Sequence, residues 1–403
     1  MRSKESKRAV IKQKPIAVFW IALSFLLIWS PAFAAVPING EALLGLDGFD
    51  KAMVKFIEKH KIPGGSLAVS YKGRLILTKG YGYADFSGLE KVPVHPRNRF
   101  RLASLSKPLT ATAIMSLMQE GRLSLDSKVV PLLQGNPPHK IRDKRLEQIS
   151  IQHLLEHRGG HDKQASGDPM FSSQSPCPGN LSSYFRERLD FTPGEKYAYS
   201  NLGYCLLGRV VERISGKPYE VFIKERILQP VGANSLEIGD SKEIKPDEVC
   251  YFQDPSESKQ SPHGRYDMKA LDSCGGWIGS SVDYLKFLTS LDGQRKPGLL
   301  KPETFKIMLT MPDAIINQKW PEYYAKGFHV RKLFDGGLNF WHPGSLAGTL
   351  NLAVRASNGY GWVVLLNRRP PDWGRVRHEM DQELWKASGE VKETPTGDLF
   401  AKF

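Results

Sequence analysis

The sequence predicts an α/β chain of the α+β type, in which an antiparallel sheet flanked by helices is built from both chain ends and an all-helical lobe is inserted between them. Three observations carry this. Short β-type runs joined by turns occur near the N-terminal side, at 66–71 and 74–78. Runs of the same kind return after residue 327, at 327–330, 338–341, 349–354 and 362–366. Between about 122 and 269 strand patterns are weak, and helical spacing is the recurrent signal.

In chain order, the first fifteen residues hold six basic side chains against one acid, Glu5. The apolar run Ile16–Trp29 follows, then Pro31 and Ala32-Phe33-Ala34. This is the layout of a secretory signal over 1–34, with an apolar core short of the about 20 residues a membrane span needs. An exported protein, periplasmic or extracellular, is expected, and membrane contact only if that segment is retained. Beyond it the chain carries a net charge of +9 over 369 residues, enough for more than one ordinary core. The charge is dispersed, without a dense Lys/Arg block or an aromatic-interleaved basic stripe, so nucleic-acid binding is not expected. Cys177, Cys205, Cys250 and Cys274 allow three pairings, and their spacing matches no metal signature. Cys205, in an apolar helical pattern, also fits a buried thiol.

Leu46–His60 has apolar residues at helical spacing, and Ile62-Pro63-Gly64-Gly65 ends it. The hairpin over 66–78 turns at Lys72-Gly73. Residues 105–118 are apolar around much of their circumference, which predicts a buried helix ended by Gly121. Pro108 fits only if that helix begins near Ser104, because proline suits a first turn and breaks an interior. Helices are expected at 149–156, 202–214, 219–228, 281–291, 300–308 and 379–385. Polar, Pro-containing surface loops are expected at 163–180 and 240–265, and the residues after Gly389 are expected to be loose.

Three short elements carry chemistry. Ser104-Leu-Ser-Lys107 sets a hydroxyl and an amine on one face of a helix start, where a neutral lysine can take the serine's proton. The same spacing recurs at Ser256–Lys259, without a helix. Tyr199-Ser200-Asn201 precedes a helix and is the chain's single Tyr-x-Asn. His342-Pro343-Gly344-Ser345 lies in the strand-rich C-terminal part; comparable His-x-Gly or Lys-x-Gly triplets start at His157 and Lys296.

Taken together, these elements resemble the serine hydrolases that include class C β-lactamases, D-alanyl-D-alanine carboxypeptidases, other penicillin-binding proteins and related esterases. The resemblance extends through Ile62-Pro-Gly-Gly, Ile151-Gln-His-Leu-Leu-Glu-His-Arg-Gly, Pro193 to Tyr204, Gly216-Lys-Pro-Tyr-Glu and Gly275 to Tyr284, in the family's order over about 45–368. It implies a β-lactamase/transpeptidase-like fold over 41–388, with the α/β lobe at 41–122 and 270–388, the helical lobe at 123–269, and 389–403 as a tail. It implies that Ser104 is the nucleophile, Lys107 the general base and Tyr199 the general acid/base. Backbone N–H groups of Ser104 and Ser345 would form the oxyanion hole, while Asn201, His342 and Gly344 would contact substrate. No metal or organic cofactor is implied.

The third element departs from the β-lactamase pattern. His342 stands where lysine is common, and Pro343 where a hydroxyl residue can hold a substrate carboxylate; proline offers neither hydroxyl nor N–H. The expected activity is therefore acyl transfer from an ester or a small amide or peptide, with a genuine β-lactamase behind it. Partners would be small-molecule ester, peptide or β-lactam substrates, including cell-wall peptides. An answer of a different class is a non-catalytic relative that binds cell-envelope peptides or regulates another protein.

Overall fold

The computed structural model describes residues 35–403 apart from 86, 87, 89, 136, 137, 173, 174, 255, 257–260 and 313–321. The expected signal over 1–34 lies outside the described residues, as does Lys259 of the second Ser-x-x-Lys. From Val36 onward the chain is one compact unit.

The main sheet contains β1 (Ile38–Ala42), β2 (Gly64–Tyr71), β3 (Arg74–Asp85) and the two-residue β4 (Val92–Pro93) from the N-terminal side. A small separate sheet joins β5 (Phe100–Arg101), β6 (Glu237–Ile238) and β7 (Trp277–Gly279). The remaining strands are β8 (Glu322–Tyr324), β9 (His329–Lys332), β10 (Leu338–Leu346), β11 (Thr349–Arg355) and β12 (Tyr360–Leu366). The order across the main sheet is β1-β3-β2-β12-β11-β10-β9-β8, with β4 beside β3. Every pairing is antiparallel, and β2 lies against β12 with Ala68 opposite Val363. The two chain ends thus meet in the middle of one sheet, as the sequence predicts. At the β2–β3 turn Lys72 and Gly73 both have positive φ, the conformation that matches a tight turn to the twist of its strands.

The helices are α1 (Asp47–Lys59), α2 (Ser106–Gln119), α3 (Val129–Leu133), α4 (Ile151–Leu155), α5 (Leu181–Tyr184), α6 (Asn201–Ser215), α7 (Tyr219–Ile223), α8 (Ser281–Leu291), α9 (Pro302–Met308) and α10 (Trp373–Gly389). Strands β11 and β12 are buried on both faces, which explains why they read as continuous apolar runs. Leu350, Leu352, Val354, Trp362 and Val364 pack with Phe49, Met53 and Phe56 of α1 and Met380 and Leu384 of α10. Ala353, Val363 and Leu365 join the opposite core with α2, α6 and α8. The helix α2 is buried over nearly its whole length, and Pro108 is its third residue, where proline is tolerated. Gly121, with φ of 73°, follows its end.

Two expectations need amendment. The tail after Gly389 is not loose, because Leu399 and Phe400 are buried against the core and Leu399 N–H donates to Leu75 O. Asp398 accepts from Leu75 N–H, and Arg74 donates to the carbonyls of Pro395 and Thr396. The polar run 389–398 hides these two anchors in any composition average. Cys205 is not a free thiol: it is joined to Cys177, while Cys250 and Cys274 remain free. The bond ties the 163–180 loop to α6.

Candidate active site

Ser104 sits in a 3-10 turn, Ala103–Leu105, immediately before α2. Ala103 adopts φ of 51°, an uncommon and costly conformation for a residue with a Cβ. Ser106 Oγ donates to Ala103 O at 2.7 Å and accepts from Trp277 N–H at 3.3 Å, which helps to hold the strained turn. Asn351 of β11 donates to the carbonyls of Arg101 and Leu102 from the other side. Strand β10 passes so close that a Cβ on Gly344 would lie 2.3 Å from Leu102 O. Gly344 is thus a close-approach glycine that seats β10 against the turn.

Lys107 lies one helical turn along, fully buried beneath Ser104. Its Nζ reaches Ser104 Oγ at 3.2 Å, Asn201 Oδ1 at 2.7 Å and Cys274 O at 2.7 Å. Burial lowers its pKa to about 8, with the Cys274 and Asp168 side chains opposing the fall. Two of the three neighbours are carbonyl oxygens that can only accept. In the neutral amine they take both N–H groups, and the lone pair is left facing the Ser104 hydroxyl.

Tyr199 donates its hydroxyl to Ser104 Oγ at 2.9 Å. Burial raises its pKa well above that of a free phenol, more than the Ser104 bond lowers it, so the group is a neutral donor. Ser200 caps α6 by accepting from Gly203 N–H, which starts the helix at Asn201. His157 brackets Tyr199 on both sides. Its carbonyl accepts from Ala198 N–H at 2.9 Å, and its Nδ1 accepts from Ser200 N–H at 3.1 Å. The ring packs 4.3 Å from the Tyr199 ring. Burial, and then Lys107 and His342, hold its pKa well below the usual histidine range, so the ring is neutral. Asn201 spends its amide on two partners, Lys107 and Asp168, whose Oδ2 accepts from Nδ2 at 2.6 Å.

The third element is arranged differently from the expectation. Side chains alternate along β10, so Pro343 and Ser345 face the cavity while His342 and Gly344 turn inward. His342 is fully buried; its Nε2 lies 3.0 Å from Tyr324 OH and its Nδ1 2.7 Å from Pro343 O. A carbonyl can only accept, so Nδ1 carries the proton and Tyr324 donates to Nε2. Burial, with His329 and Lys107 adding to it, holds the His342 pKa well below the usual range. Position 342 therefore presents no cation to the cavity, and Pro343 and Ser345, rather than His342 and Gly344, line it.

The cavity at Ser104 holds about 400 Å³ and is walled by Tyr197, Tyr199, Asn201, Phe171, Tyr266, Pro343, Ser345 and Trp373, with Lys163 and Arg369 also at its edge. Ser104, Tyr199, Asn201 and Ser345 thus meet in one place, with Lys107 directly under the serine. The second Ser-x-x-Lys has no such company: Ser256 is exposed and bonds Asp254. Sequence reading missed Asp168, Tyr324 and the clamp by His157, although His157 lies within one of the stretches on which the resemblance rests. No group of three or more His, Cys, Asp or Glu side chains suited to a metal ion occurs among the described residues.

The Beta-lactamase family model matches residues 49–384. A Dichelobacter nodosus protein named for fimbrial assembly (FimD, serogroup D) is 30% identical over 279 residues, 68% of this chain and 69% of that protein. Protein flp of Staphylococcus aureus (strain N315) is 31% identical over 186 residues, 45% of this chain and 36% of flp. Among solved structures, the octameric penicillin-binding protein homologue from Pyrococcus abyssi superposes with a TM-score of 0.69 at 26% identity, covering 87% of this chain and 79% of its own. The D-amino acid amidase from Ochrobactrum anthropi SV3 gives 0.70 at 20% identity over 86% of this chain and 99% of its own, a likeness of fold.

Proposed function

The chain belongs to the β-lactamase family, whose members are serine hydrolases, and from that premise we propose that it hydrolyses esters or small amide and peptide bonds through an acyl-enzyme on Ser104. The observation that carries this reading is the meeting of two proton-handling groups at one oxygen. Lys107 Nζ and Tyr199 OH lie 3.2 and 2.9 Å from Ser104 Oγ.

In this mechanism the Ser104 hydroxyl donates to the neutral amine of Lys107 while it accepts from Tyr199. As Oγ attacks the carbonyl, its proton passes to Lys107. Tyr199 gives its hydroxyl proton to the leaving group and regains one from the attacking water in deacylation, while the Lys107 ammonium returns its proton to Ser104 Oγ as the acyl bond breaks. The N–H groups of Ser104 and Ser345 would stabilise the oxyanion, usually a large contribution. Both residues border the same cavity, which fits that role.

Among substrates, short esters and D-amino-acid amides or peptides rank together. The D-amino acid amidase fold neighbour supports the second class. β-Lactams rank behind, since His342 is neutral and turned inward and Pro343 brings no hydroxyl. Rates on p-nitrophenyl esters, nitrocefin and D-Ala-D-Ala peptides separate the three. A fluorophosphonate or labelled penicillin should mark the wild type and not Ser104→Ala; equal marking of the variant would overturn the nucleophile assignment. Export to the periplasm or outside the cell belongs to the same proposal. It is supported by the 1–34 pattern and by the Cys177–Cys205 disulfide, which suits an oxidising compartment. Fractionation with N-terminal sequencing tests it.

A further inference from the structure

We propose that Asp168 is a positioning residue of this site: through Asn201 it fixes which end of that amide faces Lys107, and so keeps the lysine's lone pair directed at Ser104. The proposal rests on the acyl-transfer reading of Ser104.

The argument turns on what each group can donate or accept. Asn201 presents an oxygen at one end and an NH2 at the other, and either end has nearly the same shape. The Asp168 carboxylate only accepts, so the NH2 must face it, at 2.6 Å, and the oxygen must face Lys107, at 2.7 Å. With no acceptor at 168 the amide is free to turn over. The NH2 then opposes the N–H groups of the ammonium, or in the amine it takes the lone pair that Ser104 needs. Either outcome removes the base without moving Lys107 itself.

The position of Asp168 is built rather than incidental. Its Oδ1 accepts from Met170 N–H at 3.1 Å and caps the 3-10 turn Pro169–Phe171. The segment that carries it is bonded through Cys177 to Cys205, one helical turn beyond Asn201 on α6. Two links therefore hold this loop to the start of α6, one covalent and one through the carboxylate. The groups around Lys107 include the Ser104, Tyr199 and Tyr204 side chains, the Cys274 thiol and the neutral rings of His157 and His342, and the Lys163 ammonium stands over the Tyr199 ring as well. Asp168 is the carboxylate that acts on it.

The test compares Asp168→Asn, Asp168→Ser and Asp168→Ala in the full chain, following the rate of fluorophosphonate acylation at Ser104 against pH. Serine keeps the cap on Met170 N–H but does not reach Asn201; asparagine offers a neutral acceptor at the same place. Losing a hydrogen bond to a charged group should slow Asp168→Ser and Asp168→Ala about 10- to 100-fold. Asp168→Asn should recover most of the rate at its own optimum. Removing the negative charge makes Lys107 easier to deprotonate, so the acid limb should move to lower pH in Asp168→Asn. Wild-type rate and an unmoved acid limb in Asp168→Ser would overturn the proposal. So would a loss that follows only the fraction of folded protein, with the limb in place and no recovery in Asp168→Asn. A wild type that is not acylated at Ser104 is a separate failure, which overturns the acyl-transfer reading and this proposal with it.

Discussion

At the scale of the residue, the site depends on keeping Lys107 neutral often enough to act. With its pKa lowered to about 8 by burial, the neutral fraction grows as pH rises through that value. The expected outcome is a kcat/KM on an ester substrate that climbs with pH and levels off above about 8, measured as a pH–rate profile. Lys107→Ala should lose acylation far more severely than His342→Ala, because His342 is bonded to Tyr324 behind the cavity wall. The opposite order would move the base to the histidine. His157 gives a sharper comparison. His157→Ala should lower kcat about tenfold, the weight of the one hydrogen bond its side chain makes, accepted from Ser200 N–H. His157→Asn should recover most of it, since Asn Oδ1 lies near the place of Nδ1 and Asn tolerates the positive φ of 56° found there. Steady-state kcat and KM with a melting curve check the pair. Ser104, Lys107 and Tyr199 were legible in the sequence because their chemistry is local, a spacing on one helix start and a triplet before another. Asp168 was not, because it sits in a polar loop whose composition says only that it is a loop.

At the scale of the element, much of the site is one strand laid against one turn. Gly344 was readable as part of a motif but not as a steric necessity, since the obstacle, Leu102 O, is more than two hundred residues earlier in the chain. Gly344→Ala should displace β10 and cost about 1–3 kcal/mol, as overpacking typically does. Thermal melting and the rate of fluorophosphonate labelling check it, and both should fall together. Strand alternation puts His342 and Gly344 on one face and Pro343 and Ser345 on the other, a rule the sequence also contains, but it does not say which face turns inward. The inward turn of His342 was missed because the face on which β10 meets the cavity is set by its pairing with β11, where Gly344 opposes Asn351. The helix α2 was the most legible element: its buried apolar surface and Pro108 fix both its environment and its start.

At the scale of the whole molecule, the sheet drawn from both chain ends was visible as a return of β-type runs after a helical stretch. The packed tail was not visible, because its buried side chains Leu399 and Phe400 stand behind a mostly polar run. Removing 395–403 should expose core now covered by Leu399 and Phe400, at about 1.5–3 kcal/mol for each side chain, and lower the melting temperature. A variant without these residues and an unchanged melting curve would mean that the tail only rests on the core. The order of the strands also sets a timetable. β12 lies at the centre of the main sheet, between β2 and β11, yet it spans Tyr360–Leu366 near the end of the chain. During synthesis β2 and β3 emerge early and must wait for almost three hundred further residues before their central neighbour exists. Until then the edge of β2 is unpaired and the two cores are open, the state in which a chain is most exposed to misassembly and most in need of a chaperone.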